Sequence, residues 1–341
     1  MAEAAVLGAG SWGTALAILL AKKGMEVNLW GRQPDKLERI NAGRENVFYL
    51  PGVFLPRNIK LTADLEEALD RVDYVVLSVP SHTVREICAR LKNHVKRGAI
   101  VINTAKGIET NTLKRLSEVM EEEFAGKGVY IAILSGPSHA EEVARDMPTT
   151  VVAGARDREK AEKVQDLFMC PSFRVYTNPD LVGMELGGAL KNVIALGTGI
   201  AEGLGFGDNS KAALITRGAA EIARLGMAAG ANPLTFAGLT GIGDLIVTCT
   251  SMHSRNRRAG ILIGRGLPLE QAVKEVGMVV EGIRATQAAC ALSDKYQVSM
   301  PICRETYSVL FLQKNPRDAV IDLMMRHKKH EVEEVASQEG W

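Results

Sequence analysis

Cysteine is scarce in this chain and badly spaced for redox or metal chemistry. The five residues, Cys88, Cys170, Cys249, Cys290 and Cys303, are odd in number and nowhere form a CxxC pair. That argues against a disulfide framework and against a zinc site, and it fits a reducing compartment, the cytoplasm. An excess of charge of one sign is also missing. With 41 basic and 40 acidic side chains the net charge is +1, so neither a nucleic-acid nor a membrane-surface field is implied. No apolar run reads as a bilayer span or a stable membrane anchor. The N-terminus enters an apolar segment at once, without the basic n-region or cleavage pattern of a signal peptide. Internal repeats and low-complexity tracts are absent as well.

What is present starts at the N-terminus. Ala4-Ala5-Val6-Leu7 is small and apolar, as a buried parallel strand requires. Gly8-Ala9-Gly10-Ser11-Trp12-Gly13 follows, and residues 14–22 read as a helix. A GxGxxG turn between a strand and a helix is a dinucleotide-site pattern. Gly8 permits the tight turn, Gly10 lets the backbone approach a pyrophosphate, and Gly13 lets helix and strand pack closely. Ser11 and Trp12 lie in the same turn, whose amides and helix dipole suit phosphate. The second strand, residues 26–30, delivers Gly31-Arg32. An acidic residue there would grip the ribose 2′-hydroxyl of NAD, whereas Arg32 can accommodate the 2′-phosphate of NADP. NADP(H) is therefore the favoured cofactor, with NAD(H) as the alternative, and no metal is called for.

A chain of 341 residues is long for one core and predicts two domains. Strand-like segments at 4–7, 26–30, 74–79, 100–103, 130–134 and 150–153 alternate with helical ones at 35–42, 65–71, 84–94, 113–124 and 140–145. That alternation predicts an α/β fold: a Rossmann-like, doubly wound, mainly parallel sheet over residues 1–178. Ligands of such sheets sit beyond the carboxyl ends of the strands. After residue 178 the pattern becomes long and apolar-periodic, at 182–202 and 211–229, with Pro233, Gly241, Gly243, Pro268 and Pro301 as punctuation. An all-α C-terminal domain, 179–328, is expected to carry substrate and catalysis. The charged residues 329–341 read as a frayed tail.

Polar residues stand out at three places. Lys106 follows the fourth strand of the first domain, where it faces the crevice or is simply a loop lysine. Lys191 lies in an apolar helical segment beside Leu186, Leu190, Val193 and Ile194. It either snorkels to water or stays buried with a lowered pKa, as a general acid near neutrality needs. Ser254 suits an N-cap for a helix opening with Arg255 and Asn256, which is either a solvated basic face or a phosphate site. Asp244, between glycines and a short apolar run, either orients a lysine or is an ordinary turn aspartate. A hydride source, a buried lysine and a basic helix end together suit reduction of a phosphorylated ketone.

The stretches GAGSWGTALA (8–17), NTAKGIE (103–109), SGPSHA (135–140), ELGGALKNVIALG (185–197), NSKAALITRG (209–218), GIGD (241–244) and SRN (254–256) occur in that order. In this the chain resembles the bacterial-type NAD(P)-dependent glycerol-3-phosphate dehydrogenases over nearly its whole length. The resemblance implies interconversion of sn-glycerol 3-phosphate and dihydroxyacetone phosphate, supplying glycerol phosphate for phospholipid synthesis. It implies that Lys191 is the proton donor or acceptor and that Lys106 touches cofactor and substrate. Gly136, Ser138, Asp244, Ser254, Arg255 and Asn256 match substrate positions. Ala140, Arg255, Val279 and Glu281 match cofactor positions, and Asn192 and Asp244 are the residues expected to orient Lys191. His139 stands where many relatives carry an aromatic, and Arg32 is at a position that varies within the family. A homodimer is implied too. The rival readings are a 3-hydroxyacid or sugar-acid dehydrogenase, and a catalytically silent dinucleotide sensor.

Overall fold

The computed structural model describes residues 3–328, 330 and 331. Apart from positions 330 and 331, the tail expected at 329–341 lies outside the described residues. In chain order the strands are β1 (Ala4–Leu7), β2 (Val27–Trp30), β3 (Ile59–Thr62), β4 (Tyr74–Leu77), β5 (Ile100–Asn103), β6 (Ile108–Glu109), β7 (Lys114–Arg115), β8 (Tyr130–Ser135), β9 (Thr149–Ala155) and β10 (Phe173–Asn178). Eight of them form one sheet in the order β10-β9-β8-β5-β4-β1-β2-β3, and β6 and β7 make a separate hairpin. All neighbours in the large sheet are parallel except β8 and β9. The mainly parallel, doubly wound sheet is therefore as expected.

Central strands such as β1, β2 and β5 are buried along their whole length. Helices cover both faces of a parallel sheet, so a strand there has no solvent side and reads as an apolar run. The outermost strands behave differently. β10 opens with alternating buried and exposed residues, β3 is open to solvent between buried ends, and neither is anticipated from the sequence. Nor are the β6–β7 hairpin and the helix Arg158–Phe168, which Asp157 caps by accepting the Glu159 N–H at 2.8 Å. The strand order turns back between β1 and β4, which opens a crevice beyond their carboxyl ends.

No strand follows Asn178 among the described residues. The 23-residue helix Leu181–Gly203 runs through the centre of the second half and is buried almost throughout. Its Glu185 carboxylate accepts the Ser117 N–H at 2.8 Å and an Arg115 guanidinium N–H at 2.8 Å, which ties the helix to the sheet domain. Residues 233–250 are more apolar than the sequence reading allows, with a mean hydropathy of 1.3 over 18 residues. They run as three short pieces, Pro233–Phe236, Leu239–Gly243 and Asp244–Thr250, the last opening on the buried Asp244.

The central helix crosses the helix Arg255–Gly264 at backbone contact. A Cβ on Gly199 would overlap the Arg257 carbonyl, and one on Gly260 would overlap the Leu196 carbonyl. Glycine at both positions lets the two axes close to a distance that larger residues forbid. Replacing Gly260 by Ala is expected to destabilise the protein by about 1–3 kcal/mol through overpacking. Urea unfolding measures this, and wild-type stability in the variant would show that the crossing tolerates separation.

Candidate active site and dinucleotide cleft

The glycine-rich turn has the geometry that its spacing predicts. Gly8 has φ +120°, and a side chain there would run into the Ser78 carbonyl at the end of β4. A Cβ on Gly13 would meet the Gly8 carbonyl, so this glycine serves packing. Gly10 faces open space, with nothing within 4 Å of its would-be Cβ. It is also the N-cap of the helix Ser11–Lys22 and offers no side-chain cap, which leaves the helix start free for an anion. Asn46 holds the turn in shape, donating to the Ala9 carbonyl at 3.1 Å and to Thr14 Oγ1 at 2.8 Å. The sequence reading misses Asn46, because a single buried amide in a loop leaves no periodic trace.

From this turn a cleft of about 840 Å³ extends to the helical domain. Gly8, Gly10, Ser11 and Trp12 line its floor, and Arg32 lies at one end. Arg32 follows β2, is exposed, and makes no hydrogen bond or ion pair with the described residues. Beside it lies Lys36, whose ammonium donates to the Tyr49 hydroxyl at 3.0 Å. Ala140 forms part of the wall, and Val279 and Glu281 reach the cleft from the second half. Glu281 accepts the Ser81 N–H at 2.9 Å and the Ser81 hydroxyl at 2.6 Å, closing the two halves together beside the cleft. The uncapped helix start, the bare Gly10 and the unpaired Arg32 fit a dinucleotide.

At the opposite end two lysines meet one carboxylate. Lys191 is 5% exposed and Asp244 1%. Asp244 Oδ1 accepts a hydrogen bond from Lys191 Nζ, and its Oδ2 accepts one from Lys106 Nζ at 2.8 Å. Lys191 also donates to Thr248 Oγ1 at 2.8 Å, and that hydroxyl donates to the Asp244 carbonyl at 2.6 Å. The Gly136 carbonyl accepts from Lys106 at 2.8 Å and from the Ser138 hydroxyl at 2.9 Å. Burial lowers the Lys191 pKa to about 7; Lys106 adds to the fall and Asp244 opposes it. Burial alone would raise Asp244, but the two ammonium groups outweigh it and hold the carboxyl below its ordinary value.

The third group lies on the start of the helix Arg255–Gly264. Ser254 caps it, accepting the Arg257 N–H at 3.2 Å. Arg257 turns away to form a two-pronged pair with Glu202 at 2.7 and 3.0 Å. Arg255 instead lines the cleft and makes no hydrogen bond or ion pair with the described residues. Asn256 donates to Asn192 Oδ1 at 2.9 Å and accepts the Gly282 N–H at 2.8 Å. Asn192, expected to orient the lysine, thus orients Asn256.

The structure brings Lys106, Ser138, Lys191, Ser254, Arg255 and Asn256 to one end of the cleft. Gly136 and Asp244 do not line it; both lie behind the lysines and fix them. Thr248 and Ser81 complete the constellation; the sequence marks the polar segments that carry them but gives neither hydroxyl a role. Their hydroxyls become informative only when Lys191 and Glu281 arrive from elsewhere in the chain. Among the described residues no group of His, Cys, Asp and Glu side chains is arranged to hold a metal.

Comparison with known proteins gives this geometry a family. Residues 3–161 match the family model for the N-terminus of NAD-dependent glycerol-3-phosphate dehydrogenase, and residues 180–321 match the one for its C-terminus. A glycerol-3-phosphate dehydrogenase [NAD(P)+] from Pelotomaculum thermopropionicum is 60% identical over 336 residues, covering 98% of this chain and 96% of that protein. One from Desulfitobacterium hafniense is 59% identical over 336 residues, covering 98% and 95%. The crystal structure of glycerol-3-phosphate dehydrogenase from Coxiella burnetii superposes with a TM-score of 0.91 at 38% identity, covering 95% of this chain and 98% of that one. The chain belongs to the NAD-dependent glycerol-3-phosphate dehydrogenase family.

Proposed function

We propose that this protein interconverts sn-glycerol 3-phosphate and dihydroxyacetone phosphate using NADP(H) or NAD(H), and so supplies glycerol phosphate for phospholipid synthesis. The observation that carries the reading is Lys191. It is buried, fixed by Asp244 and Thr248, lowered to about 7, and set in the same cleft wall as the unpaired Arg255. Residues 1–178 hold the dinucleotide, and residues 179–328 supply most of the substrate and proton-transfer groups. A cytoplasmic homodimer belongs to the same reading. Its support is the exposed apolar side chains of the last helix, Ile321 (55%) and Met324 (79%), with Met325 (79%) just beyond.

The bound dinucleotide supplies or takes up the hydride. Arg255, at the open start of its helix, takes the phosphate with a forked, charged donor. Lys191 protonates the oxygen that becomes the alcohol, and in the reverse direction it accepts that proton. Lys106 adds positive charge where the oxygen becomes negative. Asp244 keeps both ammonium groups pointed at the cleft.

The primary test is initial rates with dihydroxyacetone phosphate and either NADPH or NADH; absence of turnover with both would overturn the reading. Lys191→Ala should bind NADPH as the wild type does, yet lose about 10²–10⁴-fold in kcat. Near-normal turnover would remove Lys191 from the central role. Ketone reduction needs charged Lys191, so its rate should fall as pH rises through about 7, and alcohol oxidation should rise over the same interval. Parallel profiles in the two directions would contradict this assignment. Arg32→Asp should weaken NADPH far more than NADH, because only NADPH carries the 2′-phosphate. Equal losses in dissociation constant would mean that Arg32 does not read that group.

A further inference from the structure

Lys36 stands on the first turn of the helix Pro34–Gly43, just after β2 and Arg32. It is half-buried and lines the dinucleotide cleft together with Arg32, Gln33 and Tyr49. Its ammonium donates to the Tyr49 hydroxyl at 3.0 Å. The same ammonium lies 5.0 Å from the Tyr49 ring centre and 5.2 Å from that of Phe48. No carboxylate pairs with it among the described residues, although Asp35 and Glu38 share its helix; both are exposed. Every other half-buried lysine among those residues, Lys92, Lys106, Lys114, Lys160, Lys211 and Lys314, is ion-paired. Pairing is the usual way to hold an ammonium partly out of water.

The surroundings of Lys36 orient its charge without cancelling it. A hydroxyl and two ring faces are neutral partners, and they fix where the ammonium sits. Tyr49 occupies one of its three N–H donors, which leaves two for an occupant of the cleft. Arg32, four residues earlier, likewise has no ion pair among the described residues. Two uncancelled cations therefore stand side by side beyond the carboxyl end of β2. In a doubly wound sheet that is where the adenosine ribose places its 2′ position. A 2′-hydroxyl gives two cations little to bind, whereas a 2′-phosphate brings a dianion with three acceptor oxygens.

We propose that Lys36 is a second cation for the ribose 2′-phosphate and thereby a determinant of the choice of NADPH over NADH. The proposal rests on the dinucleotide reading above and adds a contact to Arg32. Tyr49 is a positioning residue that acts through Lys36.

The test is a set of dissociation constants for NADPH and NADH, measured by nicotinamide fluorescence on the wild type, Lys36→Gln, Lys36→Arg and Tyr49→Phe. Lys36→Gln should weaken NADPH about tenfold and NADH less than about twofold. NADH affinity also reports that each variant is folded. Lys36→Arg keeps the charge and should keep most of the NADPH preference. Tyr49→Phe keeps ring and lysine but frees the ammonium, so it should lose about threefold on NADPH alone. Equal losses on both dinucleotides in Lys36→Gln would make the lysine a brace between helix and loop and overturn the proposal. Unchanged affinity for NADPH in that variant overturns it as well. Failure of the wild type to bind either dinucleotide would instead bring down the dinucleotide reading, and this contact with it.

Discussion

One buried carboxylate organises this protein. Asp244 is almost inaccessible to solvent and accepts hydrogen bonds from two ammonium groups, Lys106 after β5 and Lys191 in the central helix. A lone charge at that depth would be prohibitively costly, and two lysines sharing one carboxylate leave the cluster net positive. The arrangement binds the sheet domain to the helical domain beside the cleft. It also leaves one ammonium close to neutrality. Docking of the domains and the lowered pKa of Lys191 thus involve the same three side chains.

A second constraint gives that cluster its counterpart. The central helix and the helix Arg255–Gly264 meet through glycines, backbone against backbone. The close crossing carries the Ser254–Asn256 helix start to the end of the cleft where Lys191 lies. Pairing of Arg257 with Glu202 fixes the rotation of this helix and turns Arg255 toward the cleft. The Asn192–Asn256–Gly282 chain of hydrogen bonds then links both helices to the start of the helix Glu281–Tyr296. Lys191 and Arg255 are therefore held by elements that cannot slide past one another. Fixed geometry of this kind is what electrostatic catalysis requires.

The cofactor end is built with the opposite emphasis. There the side chains do little of the holding, and the backbone does most of it. Gly8 and Gly13 make room, Gly10 leaves it open, and Asn46 braces the loop from behind. Arg32 and Lys36 add positive charge only at the outer edge. An open backbone turn of this kind suits the phosphates common to both dinucleotides.

The sequence by itself determined the elements whose surroundings are uniform. The central strands are buried on both faces and so read as apolar runs, and Gly13 follows from a backbone contact within the turn itself. The Ser254 cap is local as well. The sequence did not reveal β3 and β10, because an edge strand shows solvent on one side and mixes polar with apolar residues. Nor could it separate a snorkelling Lys191 from a buried one, or an ordinary turn aspartate from a clamp. Those distinctions rest on contacts between residues as far apart as Lys106 and Asp244, or Ser81 and Glu281. Only the tertiary structure decides them, since burial and pairing set the charge of a titratable group, and both are supplied by distant parts of the chain.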